Sequence, residues 1–380
     1  MLFDYFTLKI IWWIFVCVLL IGFAVTDGFD MGVAALLPFV ARDNEQRRVL
    51  INAIGPTWEG NQVWFITAGG ALFAAWPMVY ATAFSGLYWA LLLVLFALFL
   101  RPVGFDYRSK VDDPRWRNLW DWGLFVGGAV PALVFGVAFG NLLQGVPFEL
   151  DRFMRSTYSG TFIQLLNPFA LMAGIVSLSM LVMHGAVFMQ MRTEGVLNTR
   201  ARKAGRIFAI IFIASFIVAG IWQFKAINGY RIVSMPDPGT VVTPLDKTVE
   251  VTADGWQQNF ARWPATLVAP VAAFTGALLV MILSAAGRPG FAFIFSSLSL
   301  AGVIMTAAVA MFPFVLPSST VPDVSLTAYD AVSSHRTLNL MFIAVALFLP
   351  IVLAYTTWAY RLMRGKITGE KIQQETHSAY

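Results

Sequence analysis

Eight stretches of this chain each run past 20 residues with almost no charge, at about 10–40, 78–100, 118–142, 163–191, 203–226, 264–284, 291–313 and 337–360. A hydrocarbon core about 30 Å thick needs about 20 apolar residues to cross it as a helix. In lipid, backbone groups must be satisfied within the segment, so such runs fold as α-helices. This periodicity of spans constrains the fold more than any local motif. Composition agrees. Charged residues make up 12% of the chain and hydrophobic ones 58%, whereas soluble domains carry roughly 25% charged residues. The first run has no basic segment before it and no small-residue cleavage site, so it reads as a retained helix.

A ninth segment, 52–76, is harder to read. Its first half, Trp58-Glu59-Gly60-Asn61-Gln62, is polar, and its second half is apolar but rich in small residues. Basic residues collect in cytoplasmic loops. With nine spans and the N-terminus outside, 18 of the 26 Lys and Arg fall inside and 8 outside. A re-entrant 52–76 would preserve the same alternation, but the short Trp76-Pro77-Met78 junction favours a tight outer hairpin. The expected fold is therefore an all-α, polytopic membrane protein of nine transmembrane helices, with the C-terminus inside. It forms a single integral membrane domain over 1–380. The longest connection, 227–262, lies outside. There, runs 240–243 and 248–252 flank a Pro244-Leu245-Asp246-Lys247 turn and suggest a small β-hairpin. A polar cytoplasmic tail occupies 365–380. The net charge of +5 is thus a topological bias, and no nucleic-acid partner is expected.

Ionisable groups at membrane depth are costly and mark partners, cavities or pathways. Asp27 and Asp30, three apart, share one helix face. Asp27 lies roughly 27 Å along the helix from Lys9. Glu59 begins the second span, Arg101 ends the third and Asp121 begins the fourth. All belong to the inner half of the membrane. Such a cluster could hold a cation or pass protons inward. It could equally consist of simple ion pairs, for example Arg101 with Asp30 or Asp121. Asp121 lies between Trp120 and Trp122, which suits an interfacial pair as well as a functional site.

Histidines number three. His335 sits at an outer edge, His377 in the tail, and only His184 is deep, among Met180, Met183 and Met189. A lone membrane histidine can serve as a haem ligand, but more often bonds a neighbouring helix. The methionines along apolar faces read as packing. The single cysteine, Cys17, permits neither a disulfide nor a cysteine metal site within the chain. No phosphate loop, dinucleotide motif or His-x-x-x-His pair is present. Two broader functions suit the acids: a subunit of a redox complex, or an ion-coupled secondary transporter. Transporters often break helices at matching positions of two halves. Here the polar breaks, at 27–30 and 58–62, both lie in the first half. A third reading is a scaffold whose acids only pair.

The runs Gly22-Phe23-Ala24-Val25-Thr26-Asp27-Gly28-Phe29-Asp30-Met31-Gly32 and Trp58-Glu59-Gly60-Asn61-Gln62-Val63-Trp64 resemble subunit II of cytochrome bd quinol oxidases. So do Arg101-Pro102-Val103-Gly104-Phe105-Asp106-Tyr107-Arg108, Gly140-Asn141-Leu142-Leu143-Gln144-Gly145-Val146-Pro147-Phe148 and Met311-Phe312-Pro313-Phe314-Val315-Leu316-Pro317-Ser318-Ser319. The resemblance covers essentially the whole chain, in order. It implies two four-helix bundles plus one peripheral helix, in the bacterial inner membrane. It implies a terminal oxidase that oxidises quinol and reduces O₂ to water. Haem b and haem d would belong to the partner, subunit I. Subunit II would complete the complex, bind a structural quinone and supply a proton route at the interface. Small single-helix accessory subunits and membrane lipid are the other implied partners. The resemblance makes Glu59 the proton carrier, although many members have Asp at that position. It also matches Asp27, Asp30, Arg101 and Asp106 to family positions.

Overall fold

The computed structural model describes residues 2–369. The expected tail therefore lies mostly outside the described residues, as do Lys371 and His377. Helix α1, Tyr5–Val40, is 36 residues long, about 54 Å, so it overruns the hydrocarbon core. A short amphipathic α2, Asn44–Ile54, follows. Then come α3 (Trp58–Ala75), α4 (Pro77–Gly86), α5 (Tyr88–Tyr107) and α6 (Pro114–Gln144). The second half contains α7 (Phe162–Leu165), α8 (Pro168–Arg192), α9 (Gly195–Ala226), α10 (Gln258–Arg262), α11 (Val268–Ala285), α12 (Pro289–Met311) and α13 (His335–Leu362). Local sequence sets several of these ends. The side chains of Asp4, Asp43, Asn167 and Ser334 each accept a first-turn amide at the start of α1, α2, α8 and α13.

Among the described residues, eight helices are long and apolar enough to cross a membrane. Each overlaps one of the eight apolar runs. Helix α3, the candidate ninth, is 18 residues long, about 27 Å, and packs along α1. One difference concerns 78–100, which was expected as one helix. It is divided at Leu87 into α4 and α5. There the ring of Tyr158 lies where a Cβ on Gly86 would be, 2.4 Å away, so the close approach needs glycine.

Helices α1, α3, α5 and α6 form one group, and α8, α9, α11 and α12 form another. Helix α13 rides outside against α1, with Leu338 its one buried residue. The groups meet where α1 and α6 pack against α8. A Cβ on Gly32 would fall 2.2 Å from the Leu181 carbonyl oxygen, and one on Gly185 would fall 2.5 Å from the Gly32 carbonyl carbon. Small residues permit such backbone contact where no hydrophobic force joins helices.

One end of the molecule carries the α1–α2, α8–α9 and α11–α12 turns and most of the basic residues; we call it the basic end. The other end is capped by three small antiparallel sheets. They pair β1 (Phe148–Leu150) with β2 (Ser156–Tyr158), β3 (Gly229–Ser234) with β4 (Thr248–Thr252), and β5 (Phe314–Leu316) with β6 (Leu326–Thr327). The hairpin read from 240–243 and 248–252 has a different partner. Tyr230 pairs with Val251 and Ile232 with Val249, while 240–243 forms no strand. Buried Lys9 explains this. Its ammonium donates to the carbonyls of Pro238 (2.8 Å), Thr240 (3.1 Å) and Tyr329 (2.7 Å), which fixes that stretch away from the ladder. Tyr230 meanwhile anchors β3 against Trp256 and Phe314.

Candidate functional site

Asp27 and Asp30 lie one turn apart on α1, and both are buried, at 1% and 0% exposure. Arg101 reaches Asp27 from the last turns of α5. Its Nη1 donates to Oδ2 at 3.0 Å and its Nη2 to Oδ1 at 2.6 Å. This two-pronged geometry is the strong form of an arginine–carboxylate pair. The indole of Trp58 lies 5.5 Å from the guanidinium carbon and stacks on Phe105. The first residue of α3 thereby covers the pair.

Asp30 is held differently. Its Oδ2 accepts from Asn61 Nδ2 at 2.7 Å, and Asn61 Oδ1 accepts the hydroxyl of Tyr360. Three elements, α1, α3 and α13, are joined by this chain. The other oxygen, Oδ1, is buried without a hydrogen-bond partner. Asn61 was visible in the sequence only as part of a polar stretch. Tyr360 gave no signal, because a tyrosine near the end of a span reads as an interfacial anchor.

Asp121 is separate from this cluster. Arg108 donates to it through Nε at 2.6 Å and Nη2 at 3.1 Å, and Arg47 through Nη1 at 2.6 Å. Arg108 also donates to Asn44. Asp121 therefore clamps α6 to α5 and to α2. The pairing of Arg101 with Asp30 or Asp121 is corrected: Arg101 takes Asp27, and Asp121 takes Arg108 and Arg47. The structure thus gathers three of the sequence-selected residues, Asp27, Asp30 and Arg101, and leaves the others outside that group.

Glu59 and Asp106 are both exposed. Glu59 occupies the first turn of α3, near the favourable end of the helix dipole. It makes no hydrogen bond or ion pair among the described residues. Its neighbours on that face are Gly60, Val63, Ile66, Gly70 and Phe73, all exposed. Nothing lies within 4 Å of a Cβ built on Gly60 or Gly70.

Comparison with known proteins decides the family. The family model for cytochrome bd terminal oxidase subunit II matches residues 8–363. The chain belongs to the cytochrome bd terminal oxidase subunit II family. It is 54% identical to a probable cytochrome oxidase subunit 2 of Haemophilus influenzae over 99% of this chain and 100% of the relative. It is 53% identical to the cytochrome bd-I ubiquinol oxidase subunit 2 of Escherichia coli K12, with the same coverage. A Bacillus subtilis cytochrome bd ubiquinol oxidase subunit 2 is 33% identical over 94% of this chain and 96% of its own length. The fold matches a chain of the bd oxidase from Geobacillus thermodenitrificans with a TM-score of 0.70, at 15% identity, over 94% of this chain and 98% of that one.

His184 is fully buried. Its Nδ1 lies 2.7 Å from Ser296 Oγ and its Nε2 2.9 Å from the Val25 carbonyl. Both ring nitrogens are engaged, so His184 ties α1, α8 and α12 together and offers no free ligand to a haem. Among the described residues, no group of three His, Cys, Asp or Glu side chains is placed to hold a metal ion. Between the two helix groups lies an apolar cavity of about 210 Å³, lined by Phe23, Phe65, Phe135, Phe139 and Met180 among others. Gln223 also lines it, and the Gln223 Nε2 donor is buried without a partner.

Proposed function

We propose that this subunit II completes a cytochrome bd-type ubiquinol oxidase of the bacterial inner membrane, together with a haem-bearing subunit I, and supplies the cytoplasmic entry for protons. Nine spans put the N-terminus outside and the basic end in the cytoplasm, as the excess of inner Lys and Arg requires. The observation that carries the reading is Glu59. A carboxylate without a partner, at the inner end of a span and on an exposed face rich in glycine, is costly against lipid. It becomes tolerable when a second subunit covers that face and completes a wet path. Glu59 then takes up a proton from the cytoplasm; Asp106, exposed near the end of α5, is a second candidate for the route.

The internal acids hold this entry in place. Asn61 lies two residues beyond Glu59, and Asp30 and Tyr360 fix it from either side. Trp58 precedes Glu59 and is seated on the Asp27–Arg101 pair. The first turn of α3 is thereby locked on both flanks, which sets where the Glu59 carboxylate points. Asp121 fastens the neighbouring helix ends.

Both ring nitrogens of His184 are engaged within this subunit, which supports assigning haem b and haem d, and the reduction of O₂, to subunit I. The apolar cavity, about 210 Å³, would take a quinone ring and the first part of its isoprenoid chain, the rest of the tail leaving between the helices. Its phenylalanines and Met180 would hold the chain, and Gln223 Nε2 would donate to a ring carbonyl. Bound there, the quinone supplies packing between the two helix groups. Single-helix accessory subunits and lipid would cover the remaining apolar faces.

The decisive experiment is purification through a tag on this chain. The oxidase reading expects a coloured complex with haem b and haem d absorption that consumes O₂ when given ubiquinol. A colourless chain that purifies alone would instead indicate the transporter class.

A further inference from the structure

Helix α13 is held at its two ends and not between them. At the outer end the Trp12 indole donates to the Leu338 carbonyl at 3.1 Å, and the Tyr5 hydroxyl to that of Ser333 at 2.8 Å. No residue from 343 to 359 is buried. The inner end meets the bundle through Tyr360, whose hydroxyl donates to Asn61, and through the segment 363–369 that follows the helix. One hydroxyl alone is a slight tether for the end of a helix 28 residues long.

The segment after α13 forms a strap. Met363 is the C-cap, where the last carbonyls of a helix lack intrahelical donors. Arg192 supplies one. Its Nη1 donates to the carbonyls of Met363 at 2.7 Å and Gly365 at 2.6 Å, and its own carbonyl accepts from the Ile367 amide at 2.8 Å. Gly365 has a φ of +125°, which residues with a Cβ rarely adopt, and it turns the chain onto the bundle. Ile367 packs against the core cluster that contains Leu50 and Leu197. The Glu45 carboxylate on α2 lies where a Cβ on Gly369 would be. The Lys366–Glu194 pair, 3.8 Å apart and half exposed, adds little. Arg192 is a firm post, since it ends α8, the most buried of the eight long helices.

We propose that the strap fixes the Tyr360 hydroxyl, and that Arg192 and Gly365 are thereby positioning residues for proton entry at Glu59. Met363 follows Tyr360 by less than one helical turn, so a displacement of the clamped carbonyl carries through to the hydroxyl. Tyr360 in turn holds Asn61, one half-turn beyond Glu59 on α3. The inference rests on the reading of Glu59 as the proton carrier. It adds a contact at the far side of the bundle, on α8, that acts on Glu59 through α13.

The test uses the purified oxidase complex as wild type, Arg192→Met, Arg192→Lys, Gly365→Val, Tyr360→Phe and the double variant of Arg192→Met with Tyr360→Phe. Trypsin cleavage after Arg364 and Lys366, timed by mass spectrometry, reports whether the strap is seated. It should accelerate in Arg192→Met and Gly365→Val. Quinol-driven O₂ consumption is then measured against pH. In both variants kcat should fall about fivefold, the equivalent of one lost hydrogen bond, with the KM for quinol and the haem spectrum unchanged. The decline towards alkaline pH, where protons are scarce, should be steeper than in the wild type. Arg192→Lys keeps a donor and should recover most of the rate. Arg192→Met should add little to Tyr360→Phe, because both act through the same hydroxyl. If Arg192→Met fails to assemble, Gly365→Val and Arg192→Lys carry the comparison. Unchanged cleavage in the variants, a wild-type pH profile in a complex whose strap is cleaved faster, or additive losses in the double variant would overturn the proposal. A slowed Arg192→Met beside wild-type turnover in Glu59→Gln would instead overturn the reading of Glu59, with faster cleavage and non-additivity still supporting the clamp on Tyr360.

Discussion

Replacing Arg101 with Met removes one half of a fully buried ion pair. Asp27 is then left at 1% exposure with both oxygens unpaired. Breaking a buried pair by removing one partner costs about 3–5 kcal/mol, because the remaining charge is uncompensated. Here the cost should lie at the upper end. Asp27 loses two hydrogen bonds together, Trp58 loses the cation beneath its ring, and Arg101 also acts electrostatically on Asp30. Asp27→Leu should cost a similar amount, since it strands the guanidinium. The double variant, with Asp27→Leu and Arg101→Met, buries no unpaired charge at that position. It should recover most of the loss, as apolar replacements of buried pairs are often neutral. The assay is the unfolding midpoint and haem content of the purified complex for the wild type, both single variants and the double. Losses that simply add in the double variant would refute the claim that these residues act as a pair. An unchanged midpoint in Arg101→Met alone would refute it as well.

Other expectations concern the supporting contacts. Tyr360→Phe removes the hydroxyl that holds Asn61, a loss of about 1 kcal/mol; turnover should fall a few-fold with an unaltered haem spectrum. Asp121→Asn leaves Arg108 and Arg47 without their carboxylate, so the yield of assembled complex should drop while turnover per haem stays near wild type. Gly32→Val places side-chain atoms in the α1–α8 contact, where even a Cβ falls 2.2 Å from a carbonyl oxygen, and should abolish recovery of the complex. At the capped end, burial pushes the Tyr230 phenol up to about 12, above the ordinary value of about 10. The unfolded chain therefore loses this proton first. The stability Tyr230 contributes is complete below the ordinary value and is lost as pH rises through about 12. Proteolysis of the 235–243 segment should accelerate over that alkaline range, and less so in Tyr230→Phe.

Hydropathy was enough to locate the long spans, because lipid leaves the chain little alternative to helix. It could not resolve α3 in the same way, since Glu59, Asn61 and Gln62 make its first turns look like a loop. The acids at membrane depth were legible as anomalies, but their partners were not. Asp27 and Arg101 are 74 residues apart, and Asp30, three residues away, was an equally good candidate by spacing. Only the rotation of α5 against α1 selects between them. The error at 240–243 has the same origin. Its β-rich composition is real, but the Lys9 ammonium, more than 200 residues away, takes the carbonyl of Thr240 and that of Pro238 just before it. Glu59 stands out in the sequence as a charge at the start of a span, yet its exposure cannot be read from the sequence, because α3 gives no clear apolar stripe.

Turnover of the Glu59→Gln complex, measured as quinol-driven O₂ consumption and proton uptake in liposomes, tests the account most directly. Gln keeps the shape and removes the titratable proton. Positioned proton carriers contribute about 10²–10⁴-fold to rate, so both quantities should fall at least about tenfold while haem content and assembly remain intact. Glu59→Asp should retain most of the activity. Wild-type turnover and proton uptake in Glu59→Gln would contradict the account.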